Sequence, residues 1–152
     1  MMKPYDDVLD LLETQHVEVE RLFAKLQSSR GDRIATFFEL ADRLAMQASI
    51  EETLIFPLVD GDDADLLRPS IEAHREIRRD LADMLALDPH DDAAEFDALL
   101  YLLQLRVSRH VRDDEVRVLF PALRRALTDE QRHALATAAI PMLEPAPVVA
   151  AA

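Results

Sequence analysis

The sequence predicts an all-α protein: an antiparallel four-helix bundle made of two tandem helical hairpins, with a short fifth helix behind them. Three observations lead there. Glycine occurs only twice in 152 residues while Ala, Leu, Glu, Asp and Arg dominate, so helix formers abound and glycine-dependent hairpin turns are nearly absent. Apolar residues recur at helical steps in four long segments. Finally, one phrase is written twice. "MQASIEETLIFPLV" from Met46 and "RHVRDDEVRVLFPAL" from Arg109 both run from acids into Phe-Pro. The place of His110 in the second copy is filled by Met46 and Gln47 in the first.

The first segment, about residues 5–29, carries Val8, Leu11, Leu12, Val19, Leu22, Phe23 and Leu26 in helical phase. "SSRGD" breaks it, and Asp32 supplies an N-cap for the next. The second segment, about 32–58, carries Ile34, Phe37, Phe38, Leu40, Ala41, Leu44, Ala48, Leu54 and Ile55. Pro57 should bend or end it, with "DGDDAD" as the loop beyond. That loop lacks the regular ligand spacing and closing Glu of a calcium loop, so it reads as a solvated turn.

The third segment, about 65–87, carries Ile71, Ile77 and Leu81 around His74 and should start irregularly, since Pro69 suits only a first turn. It stops at "LDPHDD". The fourth, about 92–126, is long, with a break expected at Pro121. "TDEQ" from Thr128 then opens the short fifth helix with a capping box. The tandem shows again in "HVEVERLFAKL" from His16 and "HREIRRDLADML" from His74. The domain is expected to span 1–140, leaving 141–152 as a flexible Pro- and Ala-rich tail.

Composition narrows the function. A formal charge of −13 argues against a nucleic-acid partner, which needs a basic patch. The absence of cysteine excludes disulfides, thiolate ligands and thiol nucleophiles. The N-terminus lacks the pattern of a signal peptide, and no apolar run has membrane-spanning length. The expectation is a soluble, cytoplasmic protein with neither membrane nor nucleic acid as partner. No catalytic nucleophile, phosphate loop or organic-cofactor motif is present, so catalytic residues are not assigned and enzymatic activity is left open.

The chemistry lies in polar residues that share the apolar phase of their helices. His16, Glu51, His74 and His110 do so, one on each of the four helices. Such burial is costly unless the groups satisfy one another or hold an ion. Gln47 and Glu51 lie a turn apart on one face, as do His110 and Asp114, with Glu115 one residue further round. Imidazole mixed with carboxylate suits iron or manganese, whereas zinc takes fewer, tighter ligands. His90, His133, Glu52 and Asp113 are expected in solvent or behind the site. Tyr101 is expected in the core, and Tyr5 near the pocket.

"QH" at 15–16, "EETLIFP" at 51–57, "EAH" at 72–74 and "HVRDDEVRVLFP" at 110–121 occur in this order and spacing. On these motifs residues 5–127 resemble the hemerythrin-like, or HHE cation-binding, family. The resemblance implies a bundle around a non-haem di-iron site with histidine terminal ligands and two bridging carboxylates. It also implies oxygen binding, handling of nitric oxide or peroxide, or storage or sensing of iron. Carried over, His16, His74 and His110 are terminal ligands and Glu51 is one bridge. The second bridge is Glu115 or Asp114. Glu115 stands five residues before Phe120, as Glu51 stands before Phe56, and a wide helical turn would present it; Asp114 keeps the ordinary step.

Two positions depart from the family pattern. Gln47 replaces a histidine before Glu51, and Arg78 replaces a second histidine after His74. Glutamine is a poor ligand and arginine cannot ligate; turned inward, Arg78 would pair with Glu51 or Glu115. Two functional readings follow. One is a protein holding one or two non-haem irons, with a diatomic molecule or peroxide as small ligand. The other is a metal-free bundle acting as an interaction or regulatory module, in which Arg78 neutralises the buried acids. In the metal-free case, acid is expected to charge the buried histidines and loosen the bundle.

Overall fold

Asp7 opens the first helix by accepting a hydrogen bond from the Leu9 N–H at 2.8 Å, and α1 runs Val8–Gln27. The computed structural model describes residues 6–28, 31–59 and 61–143, so Tyr5 lies outside the described residues. Gly31 takes the left-handed φ of 75° that only glycine adopts freely, and Asp32 then caps α2, Arg33–Ile50. The α2 rod continues as a π-helix, Glu51–Ile55, and stops in the 3₁₀ turn Phe56–Leu58 at Pro57. A 3₁₀ stretch, Gly61–Leu67, leads into α3, Arg68–Leu85, with Pro69 in its first turn as expected.

The fourth rod differs from expectation. α4, Ala93–Arg109, passes through a second π-helix, His110–Leu119, directly into α5, Phe120–Ala126. Pro121 does not break it. Proline has no N–H and its ring collides with the carbonyl four residues back. Widening the preceding turn relieves the collision, so the Phe120 N–H reaches the Glu115 carbonyl five residues back. The first copy does the same, with the Phe56 N–H on the Glu51 carbonyl. After a capping box at Thr128 come α6, Asp129–Ala139, and the 3₁₀ turn Ile140–Leu143, in which Leu143 is buried. The remainder of the expected tail, 144–152, lies outside the described residues.

Side-chain pairs fix the directions of packing. α1 meets the fourth rod antiparallel, through Gln27 with Gln104, Glu20 with Ser108, and Glu13 with Arg124. α3 meets it antiparallel through Asp80 with Arg106 and His74 with His110. Two apolar clusters fill the bundle. One, around Leu12, Ile55, Phe120 and Ala136, is closed by α6; the other, around Leu22, Phe37, Met84 and Phe96, lies at the opposite end. Between them sits a layer of polar side chains. The apolar stripes are narrower than the periodicity suggested: Phe38, Ile71 and Tyr101 are exposed by 52%, 46% and 59%, which removes Tyr101 from the core. No described helix is long and apolar enough to cross a membrane.

Candidate metal centre

The polar layer is assembled from every rod of the bundle. α1 presents His16, the α2 rod presents Gln47 and Glu51, α3 presents His74, and the second π segment presents His110 and Glu115. The π geometry is what brings Glu115 inward. Its five-residue step from His110 returns it to the core face, where it is 1% exposed. Thus the five residues expected to form the site, His16, Glu51, His74, His110 and Glu115, meet at one level of the bundle.

Their reactive atoms are close. His16 Nε2 lies 2.7 Å from Glu115 Oε2, and His74 Nε2 lies 2.8 Å from Glu51 Oε2. His110 Nε2 is 3.2 Å from Glu115 Oε1 and 3.7 Å from Glu51 Oε2. Yet His16 Nε2, His110 Nε2, Glu51 Oε2 and Glu115 Oε2 have no aligned hydrogen-bond partner. The atoms point at shared space more than at one another. Two triads result, Glu51–His74–His110 and His16–Glu51–Glu115, each with its ligand atoms within 4.8 Å, and Glu51 belongs to both.

The arrangement is reciprocal, which accounts for the duplicated phrase. Glu51 of the first copy faces His74 of the second hairpin, and Glu115 of the second copy faces His16 of the first. Each phrase also sends its phenylalanine across. Phe56 stacks on His74 with centroids 5.4 Å apart, and Phe120 on His16 at 6.2 Å. These phenylalanine roles were not foreseen; the repeat itself was their signal.

Behind the layer, two acids orient two of the rings. The His74 Nδ1 lies 3.0 Å from Glu52 and the His110 Nδ1 lies 2.9 Å from Asp114. With Nδ1–H donating outward, each Nε2 is directed at the centre, where it can hold a proton or, once deprotonated, offer its lone pair to a cation. Asp114 therefore supports His110, while Glu115 occupies the central position. Arg78 is not turned inward. It reaches Glu52 at 2.7 Å with its side chain 54% exposed, and contacts neither Glu51 nor Glu115, contrary to the pairing considered from sequence. His90 and His133 are exposed, and Asp113 pairs with Arg112 and Arg117 away from the centre.

Electrostatics follow from this crowding. Burial and the facing Glu115 push the Glu51 carboxyl above its ordinary range. Burial acts on Glu115 in the same direction, but Glu51, His110 and His16 around it outweigh burial and hold it low. Burial also opposes charge on the histidines. Glu115 nevertheless raises His16, Glu51 raises His74, and the two acids together push His110 up to about 11. Two buried acids facing three imidazoles thus hold protons where a cation would sit.

The sequence matches the hemerythrin HHE cation-binding domain over residues 7–123. No curated protein and no solved structure gave a match. The matched span runs from the cap of α1 into α5 and contains the whole polar layer. By fold and by matched sequence, this chain belongs to the hemerythrin HHE cation-binding family.

Proposed function

We propose that the polar layer holds non-haem iron and that the protein binds or processes a small ligand there, of the dioxygen, nitric oxide or peroxide type. The observation that carries this is the pair of triads sharing Glu51, with four buried ligand atoms left without aligned partners. Unpartnered buried polar atoms of this kind are costly, and a cation would satisfy them together. Three imidazoles and two carboxylates without thiolate fit iron well. His74, His110 and Glu51 would hold one ion; His16, Glu51 and Glu115 would hold a second. Bound iron would supply the redox chemistry and an open position for the ligand.

The chain's own residues make the two positions unequal. His74 and His110 are both oriented by carboxylates, whereas His16 is backed only by the Phe120 ring. The first position should therefore fill before the second. The metal-free alternative relied on Arg78 neutralising buried acids, and the Arg78–Glu52 pair at the rim removes that support. The test is iron analysis with an absorbance spectrum for protein purified without chelator and titrated with ferrous iron. Tight uptake of one ion and weaker uptake of a second is expected. Absence of uptake, in wild type and in a Glu51→Gln control alike, would overturn the proposal.

A further inference from the structure

Gln47 stands one turn before Glu51, is 7% exposed, and has its Nε2 buried without a hydrogen-bond partner. It lines a cavity of about 50 Å³ bounded at one end by Glu51, His74 and His110 and at the other by Leu44 and Leu81. That volume holds about four water-sized groups, so beside an ion at Glu51, His74 and His110 it leaves room for a ligand of about two or three non-hydrogen atoms. Arg78 lines the same cavity while keeping its head in solvent. A buried amide N–H₂ without a partner is destabilising unless something bound in the cavity accepts from it. The carboxylates of Glu51 and Glu115 in the same wall favour the amide's N–H₂ over its oxygen facing inward.

We propose that Gln47 is not a metal ligand but the hydrogen-bond donor of a small-anion pocket in this centre. It would select compact anions of two or three atoms, of the azide, nitrite or superoxide class. This deepens the iron reading and rests on it. Leu44 and Leu81 make one end of the cavity apolar, so one donor directed at the ligand counts for more there than it would in solvent. The two wall carboxylates oppose a free anion, so the metal-free protein is expected to leave azide unbound. The replacement of an expected imidazole by an amide thereby changes a coordinating group into a selecting one.

The experiment uses the full chain loaded with ferric iron and titrated with sodium azide, followed by absorbance. Wild type is compared with Gln47→Leu and with Gln47→Met, which keeps the side-chain length; iron content is measured for each. Both variants should retain the wild-type iron ratio and weaken azide about tenfold, as expected for losing a hydrogen bond to a charged group. Nitric oxide on the ferrous form, a neutral and weaker acceptor, should change by less than about twofold. Unchanged azide binding in both variants overturns the donor role. A fall in iron content in both overturns it too, by making Gln47 a ligand. Equal losses of azide and nitric oxide would show damaged pocket shape and overturn the selection. Wild type that takes up no iron overturns the proposed function itself, and this proposal with it.

Discussion

At the scale of single residues, orientation of ligands matters as much as their identity. Asp114 lies 2.9 Å from the His110 Nδ1, while its neighbour Asp113 pairs with surface arginines. Asp114→Asn should weaken metal binding by about 10–100-fold in chelator competition, with Asp113→Asn close to wild type. Arg78 answers differently from a buried counter-ion. Its pair with Glu52 is half exposed, so Arg78→Ala should cost less than about 1 kcal/mol in urea unfolding. Protonation gives a signed test. The His110 pKa is raised from 6.5 to about 11 in the folded metal-free chain. Its ion pairs therefore stabilise fully below 6.5, and that contribution is lost as pH rises toward 11. Metal-free urea midpoints should fall across this window. With the three histidines held above their ordinary 6.5 by the facing acids, acid is expected to act on the metal-free bundle chiefly through Glu115. The stabilisation from Glu115 is lost progressively as pH falls below the ordinary 4.5 toward its held-down folded value. Iron retention should move the opposite way, rising with pH, and binding should release at least the His110 proton, measurable by calorimetry in buffers of different ionisation enthalpy.

At the scale of elements, the two π segments decide which acids reach the centre. Counting at 3.6 residues per turn from His110 lands on Asp114, and the sequence alone left Asp114 and Glu115 open. Pro57 and Pro121 announced a disturbance but not its place. Both displace it upstream, onto the turns that begin at Glu51 and Glu115. Pro121→Ala should restore a donor for the Arg117 carbonyl and favour a tighter turn. The expected result is a higher thermal midpoint without metal together with weaker metal binding. Hydrogen exchange should find the amides of 110–119 less protected than those of α4, and should show that difference shrink on metal loading. Other features were legible early. Asp7 and Asp32 cap α1 and α2, and Gly31 turns the chain between them. The overreach was at Phe38, Ile71 and Tyr101, because periodicity identifies a face but not how far the neighbouring helix covers it.

At the scale of the whole molecule, α6 acts as a clamp on the end of the bundle nearest the Phe-Pro turns. Arg132 joins Asp7 at 2.7 Å and the Leu127 carbonyl at 2.9 Å, tying the last helix to the start of the first. Arg132→Ala should lower the thermal and urea midpoints and leave iron stoichiometry unchanged. The larger feature is the polar layer lying across an otherwise apolar interior, with one cluster above and one below. Mechanically, the protein is two short barrels stacked on a polar joint, and the ion would be the bolt through it. Drawing the bolt should let the halves melt out of step. Calorimetry of the metal-free chain should then give a calorimetric enthalpy above the van't Hoff value, and loading should bring the ratio back to unity.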